Sequence, residues 1–168
     1  YDEAHTPWDW HQAMFDCAHD AGLAIFSAPF DHSAVEFLEE LDCPAYKIAS
    51  FEIADLPLIA KVAETGKPLI ISTGMANMDE IRDAVETARE AGASDIAVLH
   101  CVSGYPTPAS DCHLATIPHL AAELGVQVGL SDHTLGTAVP VAAVALGATI
   151  IEKHVTLRRS DGGPDAAF

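Results

Sequence analysis

The sequence predicts an α/β domain that forms part of a (β/α)8 barrel, and three observations carry that expectation. Short apolar runs alternate with helix-like segments six times, roughly every 20 to 30 residues, which is the period of βαβ units with parallel strands and right-handed crossovers. The runs end in polar, chemically capable residues: Ser27 and Asp31, Ser50 and Glu52, Ser72 and Thr73, His100 and Ser103, Ser131 to His133, Glu152 to His154. A barrel collects such groups from the end of every strand. An open doubly wound sheet gathers its ligand at one switch point, often beside a glycine-rich phosphate loop, and no GxGxxG or GxxxxGK[ST] occurs here. A barrel needs eight strands and typically about 250 residues. With six strands in 168 residues, the expected object is a partial barrel lacking its first two strands and a C-terminal portion. Two open sheet edges are then an aggregation liability.

Each element has a local reason. Thr6 as N-cap with Pro7 at the first helical position starts a helix over about Trp8 to Ala21, which Gly22 stops. Leu23 to Ser27 is the first apolar run. Val35, Phe37, Leu38 and Leu41 have helical spacing within Ser33 to Leu41. Ala45 to Ala49 is the next run, with Lys47 inside it. Leu56 to Thr65 reads as a helix with Pro57 in its first turn and Gly66 after its end. Pro68 to Ile71 is a strand closing in Ser72-Thr73-Gly74. Asn77 and Glu80 form a capping box on an amphipathic helix that Gly92 ends. Ile96 to Leu99 leads into His100-Cys101 and the proline-rich loop Ser103 to Pro108. A helix over Thr116 to Leu124 closes at Gly125. The last two runs lie in the stretch Val128 to His154, joined by a helix near Thr137 to Leu146.

Composition narrows the partners. Eight Lys and Arg face 25 Asp and Glu, a formal net charge of −17. That balance argues against a nucleic-acid backbone or an anionic membrane, which need a basic face, but not against a small anionic substrate served by a few local cations. Cys17, Cys43, Cys101 and Cys112 are scattered without a CxxC pair, so a reduced, cytoplasmic protein is expected rather than a disulfide framework or structural zinc site. No signal peptide or long apolar run suggests export or membrane insertion.

The strand ends hold the candidate chemistry. His133 and His154 read singly as hydrogen-bonded structural residues; at neighbouring strand ends, each beside a carboxylate, they also suit one shared divalent metal with open positions. Lys47 admits three readings: a snorkelling surface lysine, a Schiff-base lysine in a desolvated site, or an anion clamp with Ser50, Ser72 and Ser131. The clamp suits a phosphate or carboxylate, because no GxSxG elbow or Ser/His/Asp order is present. A His100–Cys101 nucleophile pair is disfavoured, since adjacent strand residues point to opposite faces. Asp165, after Gly162-Gly163-Pro164, reads most simply as a solvated loop carboxylate. Arg158 and Arg159 read as surface charges, and Trp8 and Trp10 as packing residues.

The motifs KIASFE (Lys47 to Glu52), ISTGM (Ile71 to Met75), the run His100 to Pro108, GLSDHT (Gly129 to Thr134), EKH (Glu152 to His154) and GGPD (Gly162 to Asp165) together resemble the sialic acid synthase family of N-acetylneuraminate synthase type. Within it, TPWDWH and Phe51 are most similar to the pseudaminic acid synthases. The resemblance spans nearly the whole chain in order. It implies a (β/α)8 TIM barrel that condenses phosphoenolpyruvate with an N-acetylated amino sugar to a nonulosonic acid, releasing phosphate. A divalent metal, manganese with magnesium or cobalt as alternatives, would be held by His133 and His154. Lys47, Ser50, Ser72 and Ser131 match the phosphoenolpyruvate site, and Ser103 and Tyr105 match residues facing the sugar. Family members often carry asparagine where Ser103 stands and a hydroxyl residue where Ala28 stands. Asp165 matches an aspartate near metal and sugar, and Glu52 is the candidate for orienting or deprotonating water. The resemblance further implies a homodimer in the full-length enzyme. Its antifreeze-like C-terminal domain and two N-terminal strands are missing from this sequence, so the 168 residues alone are expected to have little or no activity.

Three other readings stand beside this one. The sugar product is alternatively N-acetylneuraminate or legionaminic acid. The enzyme is alternatively another metal-assisted or Schiff-base barrel lyase, such as an aldolase. Outside catalysis, the chain is an inactive fragment or a binding homologue.

Overall fold

The computed structural model describes residues 6–166. Its centre is one five-stranded, all-parallel sheet, and the strands follow one another in chain order: β1 (Tyr46–Ile48), β2 (Leu69–Ser72), β3 (Ile96–Cys101), β4 (Gln127–Asp132) and β5 (Ile151–Lys153). Helices α1 (Trp8–Asp20) and α2 (His32–Glu40) precede the sheet. α3 (Leu56–Ala63), α4 (Met78–Glu90), α5 (Thr116–Leu124) and α6 (Ala138–Ala145) are the crossovers. This is the partial (β/α)8 barrel that the alternation predicts.

The two faces of the sheet divide the labour. Tyr46, Ile48, Leu69, Ile71, Ile96, Val98, Val128 and Leu130 belong to one buried cluster with Leu38, Ile59, Val62, Val85, Ile117 and Leu120 of the helices. Successive residues in a strand point to opposite faces. The alternate set therefore shares the inner face: Lys47, Ile70 and Ser72, then Ala97, Leu99 and Cys101, then Gly129 and Ser131, then Glu152. Register places these side by side, with Lys47 opposite Ile70, Cys101 opposite Ser131, and Ser131 opposite Glu152. Gly129 is required there: a Cβ would strike the Ile150 carbonyl and lie 2.7 Å from Leu99.

The helix starts are local and mostly as expected. The Asn77 capping box is present in full on α4. Asp31 caps α2 by accepting from the Ala34 N–H at 2.8 Å, and Asp55 caps α3. Gly125 ends α5 in a left-handed conformation, φ +62°.

Three expectations are corrected. The run Leu23 to Ser27 is no strand; it contributes one bridge, Ser27 to Tyr46, with the Lys47 N–H donating to the Ser27 carbonyl at 3.1 Å. Pro29 follows it and Pro44 precedes its neighbour, and a residue without an N–H cannot extend a ladder. The N-cap of α1 is Pro7 rather than Thr6, with no side-chain cap. Trp10 is 62% exposed rather than packed, whereas Trp8 stacks on Phe37 at 4.4 Å between ring centres. Among the described residues no helix is long and apolar enough to cross a membrane.

Candidate active site

The C-terminal strand ends bring the candidate residues into one linked set. At the β1 side, the Lys47 ammonium is buried and donates to Ser72 Oγ at 2.7 Å and to the Ile48 carbonyl at 3.3 Å. It lies 3.6 Å from Glu152 Oε2. Burial pushes the Lys47 pKa down, and the facing Glu152, then Cys101 and Glu52, oppose it. Glu152 is held in turn by Ser131, whose hydroxyl donates to Oε1 at 2.6 Å.

Ser50 and Glu52 belong to a single 3-10 turn, Ser50–Glu52, immediately after β1. The Ser50 hydroxyl accepts from the Gly74 N–H at 3.1 Å and donates to Cys101 Sγ at 3.6 Å. Glu52 Oε2 and Ser103 Oγ are buried without a hydrogen-bond partner. Leaving such atoms unsatisfied costs roughly 1–3 kcal/mol each. Burial holds the Glu52 carboxyl above the ordinary range, with Lys47 pulling the other way.

At the β5 side, His133 and His154 are the first residues past β4 and β5. The His133 Nδ1 faces the Val102 carbonyl at 2.9 Å. A carbonyl only accepts, so Nδ1 carries the proton there. The His154 Nδ1 lies 2.6 Å from Asp165 Oδ1, so the loop carboxylate, though half exposed, also orients this ring. Tyr105 covers the pair, its ring 4.2 Å from His133 and 6.1 Å from His154. Burial lowers the His133 pKa, but Cys101 and the Val102 carbonyl outweigh it and raise the imidazole overall.

Not every polar strand end turns inward. His100 is buried and bonds the Cys112 carbonyl at 2.6 Å. Thr73 donates to the Leu99 carbonyl at 3.1 Å, and Asp31 is spent on the α2 cap. Asp132 and Lys153 pair with each other, at 2.6 Å. Conversely, Cys101 enters the site unexpectedly. Burial would raise its thiol, yet hydrogen bonds with His133 and Ser50 bring it below its usual value. Gly74 was equally hidden: a Cβ there would sit 2.6 Å from Ser50 Oγ and strike Ser103 Oγ. The signal for Cys101 was its parity with Leu99; only the β3–β4 register places it beside Ser131.

The His133 and His154 rings lie close enough that both could reach one ion. A metal–nitrogen bond of about 2.1 Å and about 1.1 Å from nitrogen to ring centre put two such rings about 4.5–5.2 Å apart at angles near 90–110°. The His133 and His154 ring centres are 5.2 Å apart. Among the described residues no group of three or more His, Cys, Asp or Glu is arranged to hold a metal. His133 and His154 could therefore offer an ion at most one ring nitrogen each, and any further positions would fall to water or substrate.

Compared with known families, residues 1–168 match a single one throughout. The chain belongs to the NeuB family. Its similarity extends to the pseudaminic acid synthase of Helicobacter pylori, 48% identical over 168 residues, which is 100% of this chain and 49% of that protein. The N,N'-diacetyllegionaminic acid synthase of Campylobacter jejuni is 41% identical over 157 residues, covering 92% of this chain and 47% of that protein. The crystal structure of an N-acetylneuraminic acid (sialic acid) synthetase from Leptospira borgpetersenii superposes with a TM-score of 0.93 at 33% identity, covering 98% of this chain and 57% of that one. The chain spans about half the length of the curated relatives it matches.

Proposed function

We propose that this chain carries the substrate-facing strand ends of a nonulosonic acid synthase of pseudaminic acid type, which condenses phosphoenolpyruvate with an N-acetylated amino sugar and releases phosphate. One observation carries the reading. A buried lysine with serine hydroxyls, suited to an anion, adjoins two oriented imidazoles at the same end of one sheet. The higher identity to a pseudaminic than to a legionaminic acid synthase supports the sugar class.

Lys47, Ser50, Ser72 and Ser131 would hold the phosphate and carboxylate oxygens of phosphoenolpyruvate through charge-assisted hydrogen bonds. Ser103 and Tyr105 would face the sugar. A divalent ion held by His133 and His154, manganese with magnesium or cobalt as alternatives, would supply Lewis-acid polarisation of the sugar aldehyde. The enol carbon then bonds to the aldehyde carbon, water adds to the resulting cationic centre, and phosphate leaves by C–O cleavage. Glu52 would orient or deprotonate that water; its unpartnered buried Oε2 and a carboxyl raised by burial support the role. Asp165 fixes the His154 ring.

In the full-length protein, His133→Ala or His154→Ala should abolish divalent-metal-dependent release of phosphate from phosphoenolpyruvate with the amino sugar. Turnover equal to the unmodified enzyme in either variant rejects the assignment. A panel of pseudaminic, legionaminic and neuraminic precursors decides the sugar.

A further inference from the structure

Asp132 and Lys153 occupy the last register pair between β4 and β5. Their neighbours in the chain are His133 and His154. Strand alternation turns Asp132 and Lys153 to the helix side, directly behind the two imidazoles. There the Lys153 ammonium donates to Asp132 Oδ2 at 2.6 Å and to the Thr134 carbonyl at 2.7 Å. The other Asp132 oxygen, Oδ1, accepts from the Thr134 N–H at 3.0 Å and the Thr134 hydroxyl at 2.8 Å. Asp132 is 1% exposed. One carboxylate thus fixes the turn that carries His133, and through Lys153 it ties that turn to the strand that carries His154.

With Asp132 buried and the Lys153 side chain a third exposed, this ion pair adds little stability, since desolvating the carboxylate cancels most of the attraction. What this pair supplies is distance and angle. β5 is three residues long and is joined to β4 through three register pairs. So short a ladder leaves its end free to splay, and the ion pair closes it at the residue before each histidine. A working metal site tolerates ligand errors of about 0.5 Å.

We infer that Asp132 and Lys153 are positioning residues, a cross-strand clamp that sets the spacing of His133 and His154. The inference rests on the metal reading proposed above. In the full-length protein, Asp132→Asn keeps the acceptor for Thr134 and removes the charge, without stranding one in the interior. The double variant Asp132→Asn with Lys153→Met removes both charges and serves if the single variant folds poorly. Mn2+ affinity by calorimetry and the visible spectrum of the Co2+-loaded protein are measured beside thermal midpoints, with His133→Ala as control. The clamp predicts an Mn2+ dissociation constant raised about 10–100-fold, the range for residues that orient metal ligands, with displaced Co2+ bands and a folded protein. Unchanged affinity and spectrum in both variants, while His133→Ala loses the ion, overturns the clamp and leaves the metal reading intact. Retention of Mn2+ at full affinity by His133→Ala overturns both.

Discussion

Replacing Gly74 by alanine tests whether the hydroxyls proposed to meet the anion depend on an absent side chain. Gly74 is not among the glycines with positive φ, so alanine meets no backbone penalty there. The obstacle is contact: the new Cβ would lie 2.6 Å from Ser50 Oγ and 2.9 Å from Ser50 Cβ, and would strike Ser103 Oγ. A hydroxyl can rotate away, but Ser50 Cβ moves only with its backbone. Overpacking of this kind costs about 1–3 kcal/mol. At about 2–4 °C per kcal/mol for a chain of this size, the melting midpoint should fall by roughly 2–12 °C. The shift also takes Ser50 Oγ off the Gly74 N–H. Losing one hydrogen bond to a charged ligand costs about 1.5–3 kcal/mol, or about 10- to 150-fold in affinity. Circular dichroism melts and calorimetric titration of phosphoenolpyruvate into the full-length protein read the two effects. Adding Ser103→Ala should recover part of the stability, because one of the two obstructing side chains is then gone. Wild-type melting and wild-type affinity in Gly74→Ala would refute the reasoning.

Two further outcomes follow from the α2 region. Burial raises the Glu39 carboxyl, but hydrogen bonds from Lys67 at 2.7 Å and Tyr46 at 2.6 Å outweigh it, leaving the group below its usual range. A depressed carboxyl adds stability that is complete above the unfolded value, about pH 4.3, and is lost as pH falls through the folded one. Urea melts from pH 6 to pH 3 should show a shallower acid loss in Glu39→Gln than in the unmodified protein. Asp31→Ala removes the α2 cap and should cost about 0.5–2 kcal/mol in the same melts; an unchanged midpoint rejects the cap as a contributor.

What the sequence disclosed divides along a physical line. Signals that are local were legible. Asn77 with Glu80 specifies a cap through contacts three residues apart, and the lysine and histidines stand out as unusual types at the ends of apolar runs. What depends on register was hidden. Cys101 joins the site because β3 and β4 pair it with Ser131, and no periodicity within one strand fixes the pairing of two. Gly74 matters through Ser50 and Ser103, 24 and 29 positions away in the chain. Asp132 and Lys153 looked like site residues because they sit between the right neighbours. The alternation that separated His100 from Cys101 also turns them to the far face. The first apolar run failed for another reason: composition reports burial, but a strand needs N–H groups on both partners, and the flanking prolines remove them.

The same end of the sheet shows how a chain with net charge −17 can still present a site for an anion. At physiological salt, exposed charges farther apart than about 8 Å are largely screened, so the bulk of the acidic surface has little say at the strand mouths. What decides is the local pairing. Lys47 is buried deeply enough to lose its proton more readily, and Glu152 at 3.6 Å opposes that loss. Glu152 is itself held by Ser131, one of the hydroxyls proposed to meet the anion. Under the proposed function, Lys47 would thus be kept charged by a carboxylate whose place the incoming phosphate or carboxylate would take. His154 with Asp165 and Lys153 with Asp132 repeat the arrangement, a nitrogen group steered by one acid. Ion pairs of this kind nearly break even as stabilisers. Two of them, Lys47–Glu152 and Lys153–Asp132, beside the His154–Asp165 hydrogen bond at one end of a five-stranded sheet, make better sense as the means by which these side chains are held in place.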